Sequence, residues 1–325
     1  MSLTAAHLGA SALPVVDVAG LLSGDPDAER AVAEAIRAAC VDKGFMYVTG
    51  HGIDAALRAE VFAQSAAFFA RPEAEKLAVD MKLSPCNRGY EAMRAQTLEA
   101  GTPPDLKESF YAGRHLGPDH PAVIAGKFNH GPNQWPGGMP GFQAVMERYY
   151  DALEAFGAVM MRGVALSLDL PRDYFDGFCT APQCGLRLIH YPPQPANALP
   201  DEKGCGAHTD WGGLTILMQD DVGGLQVWDE TLGWVHAPPM PDAYVVNLGD
   251  MIARWTNDRY RSTLHRVVNA TGKKRYSVPF FYSGNPDYEV ACLPTCRAPG
   301  EAAKYAPTTV SGHMREMYAK TYAAT

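Results

Sequence analysis

The chain has 325 residues, room for one large domain or two, and 47% of them are apolar, so a sizeable core is expected without disulfide staples. A net charge of −8 and a pI near 5.7 give no electrostatic reason to expect nucleic acid or an anionic membrane as partner, which leaves a small-molecule site as the expectation. Seven cysteines, an odd number with no CxxC pair, argue against a disulfide framework and for a reducing compartment. Met1 to Ala12 hold no basic stretch leading into an apolar run, and no segment reaches the roughly 20 continuous apolar residues of a membrane span. A soluble cytoplasmic protein is expected.

In chain order, Leu13 to Val18 is a short β-type run. Asp27 then opens a segment with apolar residues at Val32, Ala35, Ile36, Ala39 and Cys40, a helical period that Gly44 ends. Phe45 to Thr49 is strand-like, and Leu57, Val61, Ser65, Phe68 and Phe69 mark a second helix stopped by Pro72. From Pro85 to Pro140 Gly, Pro and Asn are frequent and periodicity is weak, which predicts loop and short strand, a candidate lid. Phe142, Val145, Met146, Tyr149, Leu153, Phe156, Met160 and Val164 predict one long helix ending before Pro171.

Beyond Leu186 the texture changes to short apolar runs: Leu186 to Tyr191, Leu214 to Met218, Leu225 to Trp228, Ala243 to Leu248, Arg266 to Asn269 and Ser277 to Tyr282. Many short strands at such spacing predict a sandwich or barrel, and Tyr305 to Thr325 a closing helix with Met314, Met317, Tyr318 and Tyr322 free to pack. The expected division is residues 1–130 as a mixed α/β region and residues 131–325 as long helix, β core and C-terminal helix, the two forming one compact unit.

Within the β-rich half stand His208, Thr209 and Asp210, with His265 fifty-five residues after the aspartate and Arg275-Tyr276-Ser277 beyond. Two imidazoles and a carboxylate form the facial triad of non-haem Fe(II) oxygenases, which leaves coordination positions open for reagents. On a strand, residues i and i+2 share a face, so His208 and Asp210 can grip one ion while Thr209 points away. Cys205, three residues before His208, reads as a plain thiol. Arg275 and Ser277 are again i and i+2, and a guanidinium fork beside a hydroxyl suits the far carboxylate of a dicarboxylic acid. Tyr191 can add a phenol hydrogen bond.

These residues sit in a longer text. Leu13-Pro14-Val15-Val16-Asp17, Gly44-Phe45-Met46-Tyr47-Val48, Asn133-Gln134-Trp135-Pro136, Tyr191-Pro192-Pro193, His208-Thr209-Asp210, Gly223-Gly224-Leu225-Gln226-Val227, Asn247-Leu248-Gly249-Asp250, Arg254-Trp255-Thr256-Asn257 and Tyr260 to Val267 follow in order. Nearly end to end the chain resembles the isopenicillin N synthase-like branch of the 2-oxoglutarate/Fe(II)-dependent dioxygenases. The resemblance implies a mainly β fold with flanking helices around a double-stranded β-helix, or jelly-roll, core. It also implies His208, Asp210 and His265 as ligands of Fe(2+), and Arg275, Ser277 and Tyr191 as the binding group for 2-oxoglutarate. With O2 these would convert the keto acid to succinate and CO2 and oxidise a small organic substrate by hydroxylation, desaturation or ring closure.

The resemblance also has departures. Ile189 stands where plant relatives often carry asparagine, and Trp211 follows the aspartate where a smaller aromatic is usual. If Tyr191 faces the site, alternation brings Ile189 and Arg187 to the same side, where Arg187 either meets an acidic substrate group or forms a structural ion pair. Phe281 either lines the pocket or packs. Asn247 and Asp250 read as turn residues bonding the backbone, Trp255 as core, and His51 and His190 as structural. Rival readings are an iron oxidase of this fold that does not consume 2-oxoglutarate, as in isopenicillin N synthase and aminocyclopropane carboxylate oxidase, an ethylene- and succinate-forming enzyme, and a non-catalytic jelly-roll binder of a small acid.

Overall fold

The computed structural model describes residues 13–322 apart from 196, 200 and 299, with the backbone alone at 321 and 322, so the expectations for Met1 to Ala12 and for the Tyr322 side chain lie outside what is described. Among the described residues, twelve strands build the two larger sheets: β1 (Val15–Asp17), β2 (Phe45–Thr49), β3 (Gly89–Glu91), β4 (Glu108–Gly113), β5 (Gln183–Tyr191), β6 (Cys205–His208), β7 (Leu214–Gln219), β8 (Leu225–Asp229), β9 (Gly233–His236), β10 (Tyr244–Leu248), β11 (His265–Val267) and β12 (Arg275–Gly284). The larger sheet runs β1-β2-β10-β7-β12-β5-β4-β3 and the smaller β6-β11-β8-β9. Every pairing in them is antiparallel except β1 with β2.

Strand alternation sorts the buried side chains into two cores. Leu186, Leu188, Ile216, Val278, Phe280 and Tyr282 turn outward from the large sheet onto the helices, above all the helix Phe142–Ser167. That helix ends before Pro171 as predicted, and its Gly157 lies so close to the sheet that a Cβ there would come within 2.3 Å of the Tyr282 ring. Ile189, Tyr191, Cys205, Leu225, Val227, Val245 and Val267 fill the space between the two sheets. Truncating a buried side chain such as Leu153 would cost about 2–5 kcal/mol.

The helix Pro26–Asp42 begins one residue earlier than predicted, because Asp25 caps it by accepting from the Asp27 amide and Pro26 fits the first helical turn. Gly44 closes it in the left-handed conformation, φ 63°, where a Cβ would lie 2.1 Å from the Arg261 carbonyl oxygen. The weakly periodic stretch from Pro85 to Pro140, expected as loop and short strand, holds β3 and β4, which extend the large sheet beyond β5. Their polar residues, Glu91, Glu108 and Ser109, are buried and satisfied by side chains, which erases the apolar alternation that would have revealed them.

Candidate metal and co-substrate site

His208 is the last residue of β6 and His265 the first of β11, and the two pair directly across the ladder with ring centroids 4.3 Å apart. Asp210 lies beyond the end of β6, so the expected i, i+2 pairing on one strand is corrected: the chain turns after His208, and the Asp210 carbonyl accepts from the Asp250 amide at 2.8 Å. The three side chains nonetheless converge, with one ligand atom from each all lying within 4.8 Å of one another.

Each ligand is held by the atom that a metal would not use. His208 Nδ1 bonds the Gly206 carbonyl at 2.8 Å and His265 Nδ1 the Thr263 carbonyl at 3.1 Å, which leaves both Nε2 atoms facing inward. Asp210 Oδ2 accepts from Thr215 Oγ1 at 2.6 Å and from Asn247 Nδ2 at 2.7 Å, so Oδ1 is turned to the imidazoles, 3.8 and 3.9 Å from the two Nε2 atoms. Such separations are too long for hydrogen bonds and suit a shared cation.

Burial lowers the pKa of both imidazoles, that of His265 to about 4, and keeps them in the neutral form that ligates. Burial alone would raise the Asp210 carboxyl. His265, His208, Asn247 and Thr215 outweigh it and hold the group below its usual value. Neutral nitrogens and one anionic oxygen fit Fe(II).

From the large sheet β12 turns Arg275 and Ser277 into the space between the sheets, both buried. Arg275 pairs across the ladder with Tyr191 of β5, whose ring lies 4.7 Å from the guanidinium. Arg275 Nη2 donates to Gln219 Oε1 at 3.0 Å, while its Nε and Nη1 are buried without a partner. A fully buried guanidinium with donors unspent is costly unless an acceptor arrives, and a carboxylate supplies two.

Two family descriptions match the chain: "non-haem dioxygenase in morphine synthesis N-terminal" over residues 13–138 and "2OG-Fe(II) oxygenase superfamily" over residues 182–284. The 2-oxoglutarate-Fe(II) type oxidoreductase hxnY of Emericella nidulans is 44% identical over 319 residues, 96% of this chain and 91% of that protein. The chain belongs to the 2-oxoglutarate/Fe(II)-dependent dioxygenase superfamily. Another relative of this dioxygenase, citB of Monascus ruber, a 2-oxoglutarate-dependent dioxygenase, is 43% identical with 95% of each chain covered. Full-length T7H of Neurospora crassa, solved in complex with alpha-KG, superposes with a TM-score of 0.86 at 32% identity, covering 99% of this chain and 100% of that one. The core is therefore a double-stranded β-helix, and Fe(II), 2-oxoglutarate and O2 are the cofactor and co-substrates.

A cavity of about 200 Å³ adjoins the triad of the dioxygenase, and Trp211, Phe281 and Arg187 line it with Gln96 and Tyr111. Arg187 is already engaged, its Nη2 donating to Glu91 at 2.6 Å, with its guanidinium 4.5 Å from the Tyr111 ring. His190 bonds Glu108 and Trp255 is core, as expected. Asn247 and Asp250 correct the reading from the sequence: Asn247 donates to the Asp210 carboxylate, and Asp250 accepts from the Thr209 and Ser262 hydroxyls at 3.1 and 2.6 Å. Reading from the sequence also missed Thr215, Gln219, Glu99, Asp105 and Lys107. The last three lie in the weakly periodic stretch, where nothing local marks them.

Behind His208, Asp105 Oδ1 accepts from the Gly206 amide at 2.8 Å and Glu99 Oε2 from the Ala207 amide at 2.9 Å. Lys107 Nζ bridges Asp105 Oδ2 at 2.7 Å and Cys205 Sγ at 3.2 Å. Cys205 is a free thiol, and its Sγ lies 3.9 Å from His208 Nδ1, the ring nitrogen that bonds the Gly206 carbonyl.

Proposed function

We propose that His208, Asp210 and His265 hold Fe(II), that Arg275, Ser277 and Tyr191 bind the distal carboxylate of 2-oxoglutarate, and that Trp211, Phe281 and Arg187 wall the seat of a small planar organic substrate. The observation that carries this reading is the convergence of three unspent ligand atoms with a buried guanidinium that has two unspent nitrogens. When bound, iron and 2-oxoglutarate supply with O2 the oxidant for a substrate C–H bond, and the keto acid leaves as succinate and CO2.

The protein's own part is to position and exclude. Asn247 and Thr215 keep Asp210 Oδ1 aimed inward, and the Gly206 and Thr263 carbonyls fix the imidazole tautomers, an arrangement that helps three-point ligation and leaves the remaining positions open. The charge of Arg275, stacked on Tyr191, orients the co-substrate from the far side. T7H has also been solved with alpha-KG and thymine, at a TM-score of 0.85 and 31% identity, which supports a flat ring as the substrate class. We read residues 1–130 and 131–325 as one unit, because β1 to β4 complete the sheet that carries β12. The free state of all seven cysteines supports the cytoplasm as its setting, and no helix among the described residues is long and apolar enough to cross a membrane.

The test is a screen of small planar compounds for stimulated succinate release, repeated with Trp211→Ala, Phe281→Ala and Arg187→Ala. Each variant should raise the KM for the substrate about tenfold with the KM for 2-oxoglutarate unchanged. Unchanged turnover in Arg187→Ala would remove that residue from the substrate wall, and unchanged substrate KM in the two aromatic variants would move the substrate elsewhere.

A further inference from the structure

A second cavity, about 670 Å³, is not lined by the triad. It abuts the cavity lined by His208 and Asp210, and Arg88, Asn129, Gln183 and Cys184 line both. Arg88 is 7% exposed at this shared wall. Its guanidinium carries five N–H groups. Three hydrogen bonds run to backbone carbonyls, of Cys86 at 3.0 Å, Asn87 at 3.5 Å and Asn129 at 2.9 Å, and Nε has no partner.

Among the cations that line these two cavities, Arg88 is set apart by its missing counter-charge. Arg187 has Glu91 at 2.6 Å, Arg114 has Glu154 at 2.6 Å and Asp151 at 3.2 Å, and Lys127 has Asp287 at 2.5 Å. The side chains that bear on Arg88 are the Cys86 thiol and the Tyr150 phenol rather than carboxylates, and burial pulls its pKa down. A buried ion without a partner is unfavourable, so its seat has to be built. Position 113 of β4 is glycine, and a Cβ there would lie 2.2 Å from Arg88 Nη2. Asn133 bonds both the amide and the carbonyl of Gly113, and Gln134 Nε2 holds the Arg88 carbonyl at 2.7 Å.

We propose that Arg88 anchors a carboxylate of the primary substrate, which is then a small planar acid reaching from the shared wall to the triad. The proposal rests on the dioxygenase reading above and names the substrate class that this reading leaves open. Arg187, neutralised by Glu91, is left to contact the ring or a neutral polar group.

The experiment uses protein loaded with Fe(II) and 2-oxoglutarate without oxygen, titrated calorimetrically with benzoate and with its uncharged counterpart benzamide. Benzoate should bind roughly tenfold or more tightly than benzamide, as expected of a charge-assisted contact. The ratio should fall to near unity in Arg88→Gln. Should that variant not fold, Gly113→Ala, which displaces the guanidinium from its seat, should weaken benzoate and spare benzamide. Equal affinities in the unaltered protein overturn the proposal, as does a preference for benzoate that survives in folded Arg88→Gln or Gly113→Ala. The visible band of iron-bound 2-oxoglutarate, recorded in the same sample beforehand, reports on the dioxygenase reading separately. Its absence is a failure of that reading, and its presence with equal affinities is a failure of the Arg88 assignment alone.

Discussion

The two halves of the site are held in different ways. β12, which carries Arg275 and Ser277, runs between β7 and β5 with a backbone ladder on each side. β6, which carries His208, ends the smaller sheet and has a ladder only with β11. On its other side, the side chains of Glu99 and Asp105 take the amides of Ala207 and Gly206 in place of a neighbouring strand. The close approach requires glycine at 206, where a Cβ would lie 2.8 Å from the Glu99 amide nitrogen. The end proposed for the co-substrate is thus fixed by backbone that most substitutions leave intact. The end proposed for the metal depends on a few carboxylates in a loop, and losses there should reach the iron without touching the keto acid.

The largest expected effect follows from Asp105→Ala, which frees the Gly206 amide and leaves Lys107 buried beside only a thiol. It should destabilise the protein by about 3–5 kcal/mol in denaturant unfolding and release iron. A stability change below about 1 kcal/mol would show that the loop does not support β6. Next comes Arg275→Met, for which the KM for 2-oxoglutarate should rise roughly 10- to 100-fold while iron affinity and the melting temperature hold, since an incompletely paired buried cation is being replaced by an apolar chain. A fall in iron affinity as large as the rise in KM would erase the distinction between the two halves.

Asn247→Ala should lower iron affinity about tenfold, as expected when a hydrogen bond behind a ligand is lost, with the KM for 2-oxoglutarate unchanged at saturating iron. Metal titration checks it, and an unaltered affinity would mean that Thr215 alone orients the carboxylate. The smallest effect belongs to Glu99→Gln, which keeps an acceptor for the Ala207 amide and loses the charge opposite Lys203. About 1 kcal/mol of stability and a few-fold loss of iron are expected. A larger loss than in Asp105→Ala would reverse the order of importance along the loop.

Much of this was legible in the sequence, for a physical reason. The strands of the inner sheets and the long helix carry apolar periods, and the triad and the Arg-x-Ser pair lie in short contiguous words. What stayed hidden is polar and non-local. Asn247 reads as a turn residue because its partner, Asp210, is 37 positions away. β4 has no clear bounds in a stretch that reads as loop and short strand, because Glu108 and Ser109 are buried against His190 and Arg187, on another strand. Arg88 carries no local signal in the sequence, and Gly113, which makes room for it, lies 25 positions away. Alternation predicted the inward side of β5 correctly, and failed at Asp210, where the strand had already ended.

The most direct test of iron and 2-oxoglutarate at this site is optical. Adding Fe(II) and 2-oxoglutarate to the protein without oxygen should produce a visible charge-transfer band that is absent in Asp210→Ala and weakened in Arg275→Ala. Correctly folded, iron-loaded protein that shows no such band with the keto acid would contradict the account.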